Sequence, residues 1–377
     1  MKIIVAIDSF KGSLSSLQAG DAVKEAALRL MPNAEVLVKP LADGGEGTVD
    51  AFAEATNSKI IGLQVSGPLM KPVDAKYCIL EGNTAVIEMA SAAGITLISD
   101  GERNPMETTT YGVGEIIKDA ISRGCRRFII GIGGSATNDG GTGMLSALGY
   151  EFVDSNDSSI PLGAKGLRDL RKIKTDNVLP ELKDCFFNIA CDVSNPLCGE
   201  KGCSAVYGPQ KGATPDMIKD MDAWLESYAE IAQGISSKAD KNYAGAGAAG
   251  GLGFAFLAFT NATLRSGIKI ITEEIDIEEE IKSADIVVTG EGRLDSQTIM
   301  GKAPIGIAAL AKKYNKKVIA FSGCAAEGAE ICNEHGIDAF FPILRNIATL
   351  QEALDPNNAY RNLSATAYQV FRLLFGI

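Results

Sequence analysis

Residues 3–30 read IIVAIDSFKGSLSSLQAGDAVKEAALRL, and this stretch decides the fold class. Residues 3–7 form an unbroken apolar run, the pattern of a strand covered on both faces. After the Lys11-Gly12-Ser13 turn, Leu14, Leu17, Ala22, Val23, Ala26, Ala27 and Leu30 recur at helical spacing, and Pro32-Asn33 stops the helix. A second strand is expected over 35–38, then the turn Ala42-Asp43-Gly44-Gly45-Glu46-Gly47 and a further helix. The C-terminal third keeps this rhythm, with strands expected at 285–289, 318–321 and 339–343 and helices at 303–314, 327–335 and 357–375. Strands alternating with helices of this size imply a parallel sheet with right-handed crossovers.

The middle of the chain reads differently. Residues 74–79 and 84–88, joined by Gly82-Asn83, predict a hairpin. Helices follow at 112–123, 215–233 and 252–263, with strands at 128–132 and 186–191, separated by long glycine-rich connections. The expected class is therefore α/β with two domains. A parallel-sheet domain is made of residues 1–75 and 275–377, and a second α/β domain, 76–274, is inserted between them.

Composition narrows the function. The chain has 377 residues, enough for two cores, and a net charge of −11. An acidic surface repels a phosphate backbone, so nucleic acid is not an expected partner, although a few local cations can still hold a small anion. Eight cysteines without a C-x-x-C pair read as reduced thiols of a cytoplasmic protein. The single histidine, His335, excludes a multi-histidine metal site and argues against a Ser-His-Asp hydrolase. No apolar stretch reaches membrane-spanning length.

Four clusters can carry chemistry. Residues 130–141 read IGIGGSATNDGG directly after a strand; Gly133, Gly134, Ser135, Thr137 and Asn138 are candidates to bind phosphate or substrate. Residues 245–251 contain the literal G-x-G-x-x-G string but follow no strand, which leaves generic anion binding and plain packing both open. Residues 285–295 read DIVVTGEGRLD, a buried strand expected to open into a turn bearing Gly290, Glu291, Arg293 and Asp295 at the carboxyl edge of a sheet. Residues 191–197, CDVSNPL, again follow a strand and offer Asp192 as a base, and Gly208-Pro209-Gln210-Lys211-Gly212 comes soon after. Cys191 and Cys198 read as small core residues. Asp8 and Lys11 follow the first strand, Asp43 and Glu46 the second. Neither the P-loop string nor the protein-kinase signatures occur. Phosphoryl transfer fits such an inventory, because it needs positioning, carboxylates and cations more than covalent chemistry.

Taken in order, Asp8–Leu14, Ala42–Thr48, Tyr111–Glu115, Gly131–Gly141, Cys191–Leu197, Gly208–Ala213, Gly245–Gly253 and Thr289–Thr298 resemble the bacterial-type glycerate kinase (glycerate 2-kinase) family. The resemblance implies a Rossmann- or flavodoxin-like domain plus a second α/β domain, with the active site in the cleft between them. It implies ATP- and Mg²⁺-dependent transfer to D-glycerate, giving ADP and phosphoglycerate, the 2-phosphate favoured. On that reading Asp192 is the base, and Lys11 and Arg293 hold the glycerate carboxylate and the transferring phosphoryl group. Asp43, Glu291 and Asp295 are expected to hold Mg²⁺, while Ser9, Ser13, Gly290 and the 133–138 run bind substrate or phosphate. Cys198, Cys203 and Ile299-Met300 depart from the family pattern, which bears on fine specificity. A nicotinamide-dependent oxidoreductase using the 245–250 string, or a non-catalytic anion- or nucleotide-binding protein on the same fold, are the alternative readings.

Overall fold

The computed structural model describes every residue except Asp43, Glu46 and Ile377. The metal ligand expected at Asp43 lies outside the described residues. The strands in chain order are β1 (Lys2–Ile7), β2 (Glu35–Val38), β3 (Lys59–Ser66), β4 (Pro72–Leu80), β5 (Thr84–Glu88), β6 (Arg127–Gly131) and β7 (Glu151–Val153). They continue with β8 (Lys172–Lys174), β9 (Phe186–Ala190), β10 (Asn261–Arg265), β11 (Ile286–Leu294), β12 (Lys317–Ala325) and β13 (Ala339–Pro342). The chain divides into two compact units. One spans Met1–Asp43, Asp50–Asn57 and Ser266–Ile377, and the other spans Gly44–Val49 and Ser58–Arg265.

In the first unit, β13-β12-β11-β1-β2 form one all-parallel sheet. The run at 3–7 is buried on both sides, as its unbroken apolar character requires. Ile3, Val5 and Ile7 pack with helices Ser16–Leu30 and Pro356–Phe375 through Ala19, Val23, Leu363 and Phe371. Helix Ser16–Leu30 starts where its sequence says it should: Ser15 accepts from the Gln18 amide and the Gln18 side chain reaches back, a capping box.

β11 departs from the sequence expectation. The sequence pattern predicts a strand ending at residue 289 before a glycine turn, yet β11 runs to Leu294 and stays paired with β12 as far as Ala325. Close backbone approach is the reason. A Cβ on Gly290 would sit 2.1 Å from the Phe321 carbonyl oxygen, and one on Gly323 would sit 2.4 Å from that of Gly292. The glycines are there to let strands meet, and ladder pairing overrides their turn propensity.

The second unit holds a six-stranded sheet, β10-β9-β6-β5-β4-β3, in which β10, β9, β6 and β5 are parallel and β4 and β3 antiparallel. The hairpin expected from Gly82-Asn83 is β4–β5. β7 and β8 make a separate two-stranded pair. The core includes the stacked rings of Phe128 and Phe187, 4.7 Å apart, with Phe256 against Phe187 at 5.6 Å. Here too one element differs: the helix expected over 252–263 ends at Phe259, and Asn261–Arg265 is a strand paired with β9. The change is marked by Thr260, extended in φ/ψ, at the C-cap.

Two glycine substitutions test this packing. Gly290→Ala is expected to cost about 2–4 kcal/mol in urea unfolding, because the Phe321 carbonyl cannot move without breaking the ladder. Gly62→Ala, where an added methyl meets nothing within 4 Å, is expected to be neutral or stabilising by up to about 1 kcal/mol.

Candidate active site

In the second unit the four parallel strands end in one register row: Glu88, Gly131, Ala190 and Arg265. The ladder continues a residue further, since the Cys191 amide donates to the Arg265 carbonyl (2.9 Å). Asp192 and Gly133 therefore stand at equivalent steps past the ends of the neighbouring strands β9 and β6. Carboxyl edges of parallel strands are where such sheets bind ligands. Gly44 and Gly45 lie across this edge. A Cβ on Gly131 would be 2.0 Å from the Gly44 carbonyl oxygen, and one on Gly44 would be 2.5 Å from the Ala190 Cβ. Asp192 is exposed.

The loop after β6 is organised by its carbonyls. The Gly131 oxygen accepts from the Met89 amide (2.9 Å) and the Gly134 oxygen from the Ile95 amide (2.9 Å). The Ala136 oxygen accepts from Thr108 Oγ1 (2.9 Å) and the Thr137 oxygen from Lys211 Nζ (2.6 Å). Among the described residues, the amides of Gly133, Gly134 and Ser135 have no protein acceptor. Gly133 and Gly134 are exposed, and Gly134 has φ +73°, a conformation glycine adopts without strain. Successive amides left without protein acceptors are the kind of backbone donor set that can bind an anion.

Thr137 and Asn138, expected as ligand contacts, are fully buried. Asn138 Nδ2 donates to Ser204 Oγ (2.8 Å), so the Asn138 side chain supports the loop from inside, and the Thr137 side chain is enclosed beside it. Beside them sits Asp139, which sequence reading passed over. Its carboxylate is entirely enclosed and accepts from the Thr110 amide (2.8 Å), Thr110 Oγ1 (2.9 Å), and the Gly141 (3.1 Å) and Gly143 (3.2 Å) amides. Burial pushes its pKa up, and those hydrogen bonds pull against the rise.

The 245–251 string proves to be packing. Ala249, Gly250 and Gly251 are left-handed, the Gly250 carbonyl accepts from the Gly140 amide (2.9 Å), and a Cβ on Gly250 would be 2.1 Å from the Thr137 oxygen. No strand precedes it, so the dinucleotide fingerprint is absent. Burial raises the thiols of Cys191, Cys198 and Cys203, the last to about 11, which keeps them protonated and unsuited to nucleophilic work.

In the first unit, Asp8, Glu291 and Ser322 follow the row Ile7, Gly290 and Phe321. The 8–14 loop lies beside β11: a Cβ on Gly292 would be 3.4 Å from the Phe10 Cα and 3.5 Å from the Lys11 amide nitrogen, ordinary contact distances. Ser9 is half-buried, Lys11 is exposed, and Ser13 keeps its hydroxyl buried. Glu291 is buried. It accepts from Thr298 Oγ1 (2.8 Å) and pairs with Lys302 (3.3 Å). Asp295 accepts from the Gln297 amide (2.9 Å) and pairs with the exposed Arg293 (3.3 Å). Lys302 and Thr298 were not foreseen as partners of Glu291. Among the described residues there is no group of three or more His, Cys, Asp or Glu able to hold a metal by themselves, and no helix is long and apolar enough to cross a membrane.

Comparison with known proteins bears on this geometry. Residues 3–375 match the model of the glycerate kinase family. The chain is 46% identical over 375 residues to a glycerate kinase of Haemophilus influenzae, covering 99% of each. It is 46% identical over 364 residues to a glycerate 2-kinase of Escherichia coli K12, covering 96% of this chain and 95% of the other. A crystal structure from Salmonella typhimurium LT2, assigned as a glycerate kinase 2, superposes with TM-score 0.90 at 45% identity, covering 99% of this chain and 98% of that one.

Asp139→Asn is expected to destabilise the protein by about 2–4 kcal/mol in chemical unfolding, because an amide nitrogen would face the Thr110, Gly141 and Gly143 donors.

Proposed function

The chain belongs to the glycerate kinase family, and from this we propose that it transfers the γ-phosphoryl group of ATP, with Mg²⁺, to the 2-hydroxyl of D-glycerate. The products are 2-phosphoglycerate and ADP. The observation that carries the reading is the set of unspent amides at Gly133, Gly134 and Ser135, one strand away from Asp192. The name of the Escherichia coli relative, glycerate 2-kinase, supports the 2-position.

The reaction forms a bond from the glycerate hydroxyl oxygen to the γ-phosphorus and breaks the bond from that phosphorus to the bridging oxygen of ADP. Asp192 orients the hydroxyl and takes its proton. The 133–135 amides stabilise phosphate oxygens without reorganising, since the loop is already fixed by its carbonyls. Lys11 and Arg293 are assigned to the glycerate carboxylate and the transferring group, with Ser9 and Ser13 beside Lys11 in the same loop and Gly290 keeping the backbone close. Glu291 and Asp295 would hold a Mg²⁺, since such an ion is commonly bound through only one or two protein carboxylates. When bound, Mg²⁺ supplies neutralisation of the phosphate charge.

ADP release measured with ATP, Mg²⁺ and D-glycerate, with the product identified by phosphorus NMR, tests this directly. Turnover that needs both D-glycerate and Mg²⁺ and yields the 2-phosphate is expected; release no faster than without acceptor contradicts it. Asp192→Asn is expected to lower kcat by about 10²–10⁴-fold with little change in KM for ATP. Normal turnover in that variant removes the base assignment.

A further inference from the structure

Lys211 is the one lysine that burial encloses completely among the described residues, at 1% exposure. It lies in the 208–213 motif, to which the mechanism above gives no role. Within the protein its ammonium has one hydrogen-bond acceptor, the Thr137 carbonyl, at 2.6 Å. That is short for a nitrogen donor, as expected of a charge-assisted bond. A buried cation with a single acceptor is costly, and nothing in the packing of a strand-to-helix connection demands one. A neutral side chain could fill the same volume. Two further polar atoms of the loop, Thr137 Oγ1 and Asn138 Oδ1, are buried without a protein partner. The underside of the loop is therefore incompletely tied, and Lys211 supplies a charged contact to it.

Given the reading of Gly133–Ser135 as a phosphate site, we propose that Lys211 is a positioning residue for phosphate binding. Its ammonium holds the Thr137 carbonyl inward, so that the amides upstream stay free for the ligand, and it puts a fixed positive charge beneath the loop. It touches no reacting atom.

The titratable groups that face Lys211 are the Asp139 carboxylate and the Cys203 thiol; the neighbouring Arg103, whose carbonyl packs against Gly212, pairs with Asp100. Burial lowers the Lys211 pKa to about 8, against a smaller upward pull from Cys203 and Asp139. Near that pH the free protein has lost part of the charge. A phosphate chain arriving above the loop favours the charged form, so binding takes up a proton. The sign is fixed: affinity falls as pH rises through about 8, because the unliganded protein must then be reprotonated.

The test is calorimetry of Mg·ADP binding in two buffers of different ionisation enthalpy at pH 8 and 9, where the nucleotide itself does not titrate. Wild-type protein is expected to take up about half a proton at pH 8 and close to a whole one at pH 9. Lys211→Met, checked for a wild-type circular dichroism spectrum, is expected to lose that uptake. It should also raise KM for ATP about tenfold while KM for glycerate stays within about twofold. No uptake by the wild type, or the same uptake by Lys211→Met, overturns the assignment whether or not the variant is stable. Gly134→Ala separates the parent reading. Unchanged Mg·ADP affinity there overturns the phosphate site and the Lys211 role together, whereas weakened affinity with no wild-type proton uptake overturns the Lys211 role alone.

Discussion

The site rests on where the carbonyls of one loop go. Between Gly131 and Thr137, four carbonyl oxygens are taken by Met89, Ile95, Thr108 and Lys211. Those four acceptors are spent inward, and among the described residues three consecutive amides, of Gly133, Gly134 and Ser135, remain without protein acceptors. The polarity of the loop is thus set from below, by buried residues. Asp139 does the same for the turn that follows, collecting the Thr110, Gly141 and Gly143 amides that would otherwise be stranded in the interior.

Glycine serves this arrangement more by absence of volume than by flexibility. Gly131 admits the Gly44 carbonyl and Gly250 admits Thr137. Each of these two contacts brings one backbone against another, and each would be closed by a methyl group. Glycine-rich motifs can thus serve one proposed site in two ways, by offering amides and by making room for the backbone that does.

Much of this was legible in the sequence. The run at 3–7, the capped helix behind it and the hairpin at Gly82-Asn83 follow from patterns within a few residues. So did the placing of residues 131–141 and 191–197 at strand ends. What stayed hidden depends on long-range partners. Glycines at 290 and 292 read locally as a turn but lie in a strand, because β12 runs beside them. Residues 261–265 read as the tail of a helix but pair with β9. Thr137 and Asn138 carry the right atoms for a ligand yet point their surface into the core. Lys211 was visible only as a charge inside a glycine- and proline-rich string, and its partner lies 74 residues away in sequence.

The most direct measurement is the amide spectrum of glycine-¹⁵N-labelled protein titrated with Mg·ADP. Large shifts confined to Gly133 and Gly134, with Gly245, Gly247 and Gly250 little changed, are the expected result, since the first pair offers free amides and the second set is locked in packing. Shifts concentrated at 245–250 with Gly133 and Gly134 unmoved would contradict it, and would move the phosphate site to the other glycine string.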